Sequence, residues 1–537
     1  MKFRKSVLLL CVLFSGRACV PTAPPVETFG IWNLESYRLT GERTLTVPGS
    51  EGYENLTILV TVGLDGQVVG AEIADNFYEV DAKPALDAAK QWTFVPQAFG
   101  GRPVRAVGQI GIKYSRPEIL PDLSIPFPDS APEDVEITLQ RTACFGTCPD
   151  YSVSIRGDGR VRFSTIDDPT FRIRSGQSAE DFGTNYVLWP GAHETPVDPE
   201  EVSALVGRFH DQHFMGLQDG FQSSMTDSPI YVLTLQAGGS IKRVVDYVGE
   251  NAGMPRFVTE LENAVDDLAG TQRWVRGNAE TIAQLNSEGF DFGSKQAADL
   301  VRTAIDLNKW STDNSNVSAL LLAALEAGLD LRMPANADDP YDTSIGTIIT
   351  SYAASRGHST LFGKLAEMGE LSQMSQQELN DVFATGMGCR PEIARALVAA
   401  GANPQYNGAR GNALHELKSD YGPCSETPAE IRAEMARALI ELGVSLDARD
   451  DSGWTPLMGC DDPELARVLI DAGADPNASD DEGTTPLLSV SDDRVAMLLL
   501  GAGADPRARD EHGSVREHAR EWHLPATLAW LNAHGIE

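Results

Sequence analysis

Cations are scarce in this chain. Its 537 residues carry 43 Lys and Arg against 77 Asp and Glu, a formal net charge of −34 with a pI near 4.6. Such a surface repels phosphate backbones and anionic head groups, which excludes nucleic acid as a partner. Long apolar runs are missing as well. The run from Val7 to Phe14 falls far short of the roughly 20 residues that cross a bilayer, and no later stretch approaches that length, so no membrane span is expected. The chain also lacks G-x-S-x-G, H-E-x-x-H and G-x-x-x-x-G-K-[ST]. No nucleophile elbow, zinc-protease helix or phosphate-cradling loop is therefore in view, and no catalytic residue, metal or cofactor is called for. What is abundant is apolar surface: 42% hydrophobic residues fill packed interiors easily, and the length calls for three or four domains.

The N-terminus reads as a secretory leader over residues 1–18. Lys2, Arg4 and Lys5 precede the apolar run, and Gly16-Arg17-Ala18 places small residues where a signal peptidase reads. The expected product is an exported protein, periplasmic or secreted. Cys19, directly after Ala18, leaves a second outcome open, a lipid-anchored N-terminus, although Arg17 and Gly16 make a poor lipobox. Residues 19–29 form a short Pro-rich spacer.

The C-terminal third repeats itself. Thr455-Pro456-Leu457 and Thr485-Pro486-Leu487 stand thirty positions apart, as do Gly473 and Gly503, each followed by Ala-Asp-Pro. A fixed period of this size means a stacked array. In each unit the Thr hydroxyl is placed to cap a helix that Pro begins, and the glycine suits a left-handed position after a Leu-rich helix. The stretches Gly-Ala-Asp-Pro-Asn, Asp-Asp-Glu-Gly-Thr-Thr-Pro-Leu and Gly-Ala-Asp-Pro-Arg resemble the ankyrin repeat, whose unit is about 33 residues. These units are shorter, and the family's His after Thr-Pro-Leu is replaced by Met458 and Leu488, while Asn412-Ala413-Leu414-His415 keeps it. Gly289, Gly328, Gly369, Gly401, Gly443 and Gly535 also follow apolar helical stretches, so the array is expected to cover 271–537. Arg516, Glu517, His518, Arg520, Glu521 and His523 give its end the polar dressing of a capping unit.

Residues 30–116 read as strand, strand, helix, strand. Leu56 to Val62 alternates, Asp65-Gly66 turns, Gln67 to Ile73 returns, Asp81 to Gln91 is helical, and a last strand ends near Tyr114. Trp92-Thr93-Phe94-Val95-Pro96 and Gly101-Arg102-Pro103-Val104, with Val60-Thr61-Val62 and Asp65-Gly66-Gln67-Val68, resemble the C-terminal domain of the energy transducer TonB. The resemblance implies a periplasmic domain that meets proteins by adding a strand to a sheet edge. The family's uncleaved anchor and long Pro-rich arm are absent, so the fold is carried over and the transducing role is not. Residues 117–133 form a Pro-rich linker.

Residues 134–270 form a second α+β unit, with strands Val135–Arg141, Tyr151–Arg156, Arg160–Ser164, Tyr231–Gln236 and Lys242–Tyr247 and helices Pro199–Phe209 and Pro255–Leu268. Cys144-Phe145-Gly146-Thr147-Cys148-Pro149-Asp150-Tyr151 resembles a bacterial domain of unknown function often joined to exported proteins. In an exported chain Cys144 and Cys148 are placed to form a disulfide across a Gly-containing loop. The alternatives are a redox pair, a zinc site drawing on His193, His210 and His213, or two free thiols. Cys389, Cys424 and Cys460 each precede a second helix of a repeat. Either Cys389 and Cys424 bond to each other, or all three are small buried residues.

The fold class is therefore multidomain: two α+β domains followed by an α-solenoid of ankyrin-like repeats. Asp450, Asp451, Asp480, Asp481, Asp510 and Glu511 recur at the hairpin tips, where Asp accepts local backbone hydrogen bonds. Together with Trp454 they also form a candidate binding row for a cationic or extended segment of another envelope protein. The function expected is a non-enzymatic, exported protein-binding scaffold. The other reading is an envelope enzyme or redox protein with its site near Cys144 and Cys148.

Overall fold

A computed structural model describes residues 27–31, 34–47, 55–146, 148–165, 186–308, 315–334, 343–384, 387–418, 424 and 427–537. The leader, the spacer and Cys19 lie outside the described residues. The chain is multidomain, β-rich in its N-terminal half and helical from about residue 271 onward. Among the described residues no helix is long and apolar enough to cross a membrane.

The first sheet is built on β1 (Thr28–Gly30), β2 (Asn55–Val62), β3 (Val68–Asp75) and β4 (Arg102–Ser115), in the order β1-β4-β2-β3. Two short strands, Thr44–Thr46 and Gln97–Phe99, also pair with β4. β2 follows from its period of two: Leu56, Ile58, Val60 and Val62 are at most 1% exposed, while the residues between them face outward. Helix α1 (Lys83–Ala89) packs Ala85 and Ala89 onto this face beside the buried Trp92 and Phe94. Beyond the strand-strand-helix-strand order expected, β1 runs parallel to β4 and gives the sheet a second flank.

The second sheet has seven strands. β5 (Glu136–Arg141), β6 (Tyr151–Arg156), β7 (Arg160–Thr165), β8 (Ala192–Pro196), β9 (Gly220–Gln222), β10 (Tyr231–Ala237) and β11 (Ser240–Tyr247) lie in the order β8-β7-β6-β5-β10-β11-β9. The flanking strands β8 and β9 carry little alternation and escape a reading by pattern. Helices α2 (Pro199–Asp211) and α3 (Arg256–Ala269) form the second layer, α3 burying Val258, Leu261, Val265 and Ala269 along one stripe. The Pro-rich stretch after β4 is not a free spacer. Ile119 N–H donates to Gly253, Asp122 N–H to Gly216, and the Glu118 carboxylate accepts from Arg256 N–H, which straps it to the second unit. Proline leaves the carbonyls and remaining N–H groups of an extended segment free to bond sideways.

From Gln272 onward helices stack along one continuous apolar core. The thirty-residue period appears as hydrogen bonds between equivalent positions: Gly459 N–H to Ser489 Oγ at 2.9 Å, and Ser491 N–H to the Asp461 carboxylate at 2.6 Å. Gly401, Gly443, Gly473 and Gly503 end their helices at φ of 117°, 91°, 101° and 97°, the left-handed conformation expected of them. The threonine caps are not formed. Thr455 and Thr485 bury their hydroxyls without a hydrogen-bond partner, and the caps come from Asp462 and Asp492 at the second helices instead. Pro already fills the first helical position after each Thr, leaving fewer N–H groups to cap.

The end of the array is not dressed by polar residues alone. Beyond α4 (Asp493–Ala502) and α5 (Pro525–Ala533), β1 docks against the last turn, and Met497 and Ala526 join the core of the first sheet. The first and last elements among the described residues are thus in contact.

Candidate functional site

The tips divide into two kinds of acid. Asp450 accepts from the Ser452 and Trp454 N–H groups, both at 2.9 Å, and Asp480 from Glu482 and Thr484 at 3.0 and 2.8 Å. Asp510 accepts from His512, Gly513 and the His518 ring. These three hold the turns. Asp451, Asp481 and Glu511 are exposed. Arg449 of one tip donates to Ser479 O of the next, so successive tips are neighbours. Trp454 is half-buried between them, its indole N–H on Asp480 Oδ2 at 3.1 Å and the Lys418 ammonium 5.3 Å from its ring centre. It is a spacer between tips as much as a projecting anchor.

Cysteine pairing is simple. Cys144 and Cys148 form a disulfide with Cα atoms 5.4 Å apart, and Cys389 and Cys424 form another at 5.5 Å. Cys460 is a free thiol, which burial pushes up to about 12. Two disulfides are what an oxidising compartment retains. Among the described residues no group of three His, Cys, Asp or Glu is gathered to hold a metal, and His193 instead stacks on Trp274. Loop lengths set the expected stabilities. Changing Cys389 and Cys424 to Ser should cost about 4 kcal/mol, and the Cys144 pair about 2 kcal/mol. Thermal unfolding of the two variants should order them that way.

The middle unit holds a site that the sequence reading did not name. Cross-strand register puts Tyr151, Arg141, Tyr231 and Asp246 opposite one another on β6, β5, β10 and β11, one row across four strands. Helix α3 lies over this row and lowers two carboxyls one turn apart onto it, Asp266 and Glu262. Asp266 is saturated: Arg141 Nε donates to Oδ2 at 2.8 Å, while Tyr151 OH and Thr271 Oγ1 donate to Oδ1 at 2.8 and 2.9 Å. The Arg141 guanidinium also covers the Tyr231 ring at 4.2 Å. Burial, together with the neighbouring Asp266 charge, pushes the Tyr151 phenol far above its usual range.

Glu262 is the opposite case. It is 1% exposed, and neither carboxyl oxygen has a hydrogen-bond partner. Burial and then the charge of Asp246 push it up to about 8, against the pull of Arg141, so it holds a proton at neutral pH. Asp246 is also raised by burial, although the Gly249 N–H donates to it. Two cavities flank the row and share Tyr231. One, of about 650 Å³, is walled by Arg141, Cys148, Tyr151, Asp266 and Arg276, with the disulfide at its rim. The other, of about 560 Å³, is walled by Lys113, Met225, Asp246, Glu250 and Asn251. The signal that could have found the site is a breach of pattern: Glu262 interrupts the apolar stripe of its helix, and Arg141 ends a strand whose buried face is Ile137 and Leu139.

Residues 135–269, which carry this row, its helix and the disulfide loop, match the family model of a domain of unknown function, DUF6438. No curated protein matches the chain.

Proposed function

We propose that this is an exported protein-binding scaffold of the bacterial cell envelope, periplasmic or secreted. Its ankyrin-like array is the main binding surface, and its N-terminal domain, which resembles the C-terminal domain of TonB, serves protein–protein interaction as well. The observation that carries this reading is the run of neighbouring tips whose inner acids are spent on their own turns while Asp451, Asp481 and Glu511 face solvent. Exposed charge mostly sets encounter rate and register, and a packed aromatic supplies affinity, so the partner is a basic or extended segment of another envelope protein.

The test is capture from envelope extract by the full-length protein. Neutralising Asp451, Asp481 and Glu511 to Asn or Gln should slow association at low ionic strength and change little at high salt, where a Debye length of about 3 Å at 1 M screens exposed charges. Trp454→Ala should weaken capture by about 2 kcal/mol at either salt. Equal capture by both variants would move binding off the array. A second reading, an envelope enzyme or redox protein with its site near Cys144 and Cys148, is favoured by Arg141, Tyr151 and Asp266, which line one cavity with Cys148. Its test is loss of any turnover found in extracts of expressing cells on Asp266→Asn, with the array variants unaffected.

A further inference from the structure

The charges around Asp246 do not balance. The Arg141 guanidinium is engaged by Asp266 through two of its nitrogens. Among the described residues, that leaves Asp246 on β11, Glu250 in the turn after it and Glu262 on α3 without a salt bridge, and Arg141, held by Asp266, acts on Asp246 and Glu262 only at longer range. Glu262 makes the deficit specific. A carboxyl 1% exposed, with both oxygens unbonded, is an expensive group to keep unless something arrives to meet it. Its strongest charge neighbour is Asp246, part of the 560 Å³ cavity wall, and Glu262 itself sits behind that wall, one helical turn along α3 from the wall residue Thr259. Part of that wall suits a carbon stem, with Met225, Pro229, Val248 and the Tyr231 ring set among polar groups such as Asn55 and Ser228. At the mouth the N-terminal domain already places an amine, Lys113, whose Nζ donates to Asn251 Oδ1 at 2.9 Å and stops there.

We infer that the cavity bounded by Asp246, Glu250 and Tyr231 binds a primary ammonium on an unbranched aliphatic stem, with Glu262 and Asp246 as its counter-charges. The ligand is either a free diamine or the lysine side chain of a protein, since both present the same group. Binding exchanges one cation for another. The ammonium enters beside Asp246, the Glu262 carboxyl behind the wall gives its proton to solvent, and the carboxylate formed balances the charge of the ligand. The site does not depend on whether the protein is a scaffold or an enzyme, and it lies apart from the array.

Titration calorimetry on the full-length protein at pH 7, in buffers of different ionisation enthalpy, tests it. The probes are 1,5-diaminopentane, a lysine peptide blocked at both ends, and glutarate as the anionic counterpart. One or both amines should bind with release of close to one proton, and glutarate should not bind. The better of the two amines identifies the source. Glu262→Gln should weaken amine binding at least tenfold and abolish proton release, and Asp246→Asn should weaken it and reduce release, because the Asp246 charge helps to keep Glu262 protonated. Circular dichroism of both variants should match the parent. No amine binding at millimolar concentration, binding of glutarate as strong as that of the amines, or a Glu262→Gln variant that keeps both affinity and proton release would overturn the assignment.

Discussion

Replacing Asp493 by Ala should detach the N-terminal sheet from the end of the helical array and cost on the order of 4 kcal/mol. Asp493 is fully buried at the first turn of α4, and its carboxylate is used four times. Oδ2 accepts from Gly30 N–H at 2.7 Å and Ala526 N–H at 2.9 Å, while Oδ1 accepts from Thr527 N–H and Oγ1 at 2.8 and 2.7 Å. One side chain therefore holds β1, α4 and α5 together. Removing it strands three backbone donors inside a buried contact, each at about 1–3 kcal/mol. Arg494 reinforces the joint, bonded to Asp492 at 2.7 Å and reaching Gln97 and Tyr37 of the first domain, but at 3.3–3.4 Å these contacts cannot replace it.

A second substitution separates docking from folding. A Cβ built on Gly30 would meet the His523 carbonyl at 2.4 Å, so Gly30→Val should wedge the two parts open while leaving every Asp493 partner on the array in place. Both variants should lose amide-exchange protection at Thr28–Gly30, and their melts should split into two transitions. A single transition at the parent temperature with protection intact would show that the contact contributes nothing.

This joint also shows where the sequence stops being readable. Gly30 and Asp493 are 463 residues apart, and nothing local marks either as half of a contact. What was legible was local and periodic. The alternation of Leu56, Ile58, Val60 and Val62 gave a strand one residue longer than expected, and the eight array glycines all lie at positive φ. The helix expected over Pro255 to Leu268 is found at Arg256–Ala269. The reading failed where a residue serves a distant one. Thr455 looked like a cap by its neighbours, but the cap belongs to Asp462. The linker prolines read as a boundary, and nothing local showed that the segment also bonds along the second unit. The recurring tip acids showed in the sequence as one row, and only packing divides them into turn-holders and exposed charges. The row Tyr151–Arg141–Tyr231–Asp246 needs the order of four strands, which no alternation supplies.

Glu262→Gln should stabilise the protein at alkaline pH and do little near pH 4.5. In the folded chain burial pushes this carboxyl up to about 8, against a usual value of 4.5. Between those values the folded state holds a proton that the unfolded state has released, so stability falls as pH rises through the window and levels off above it. The slope approaches 1.4 kcal/mol per pH unit in the middle of the window. Gln resembles the protonated acid in shape and charge and has no such slope, so its advantage should grow steadily from pH 5 and exceed about 2 kcal/mol by pH 8.5. The other charged groups near Glu262 are Asp246, Glu250, Asp266 and Arg141, and they are common to both proteins, so they drop out of the difference except where they respond to the lost charge. Urea unfolding of parent and variant at pH 5 and pH 8.5 decides the matter. An equal offset at both pH values would mean that Glu262 does not titrate in this range, and a variant less stable at pH 8.5 would mean that its carboxylate has found partners in solution.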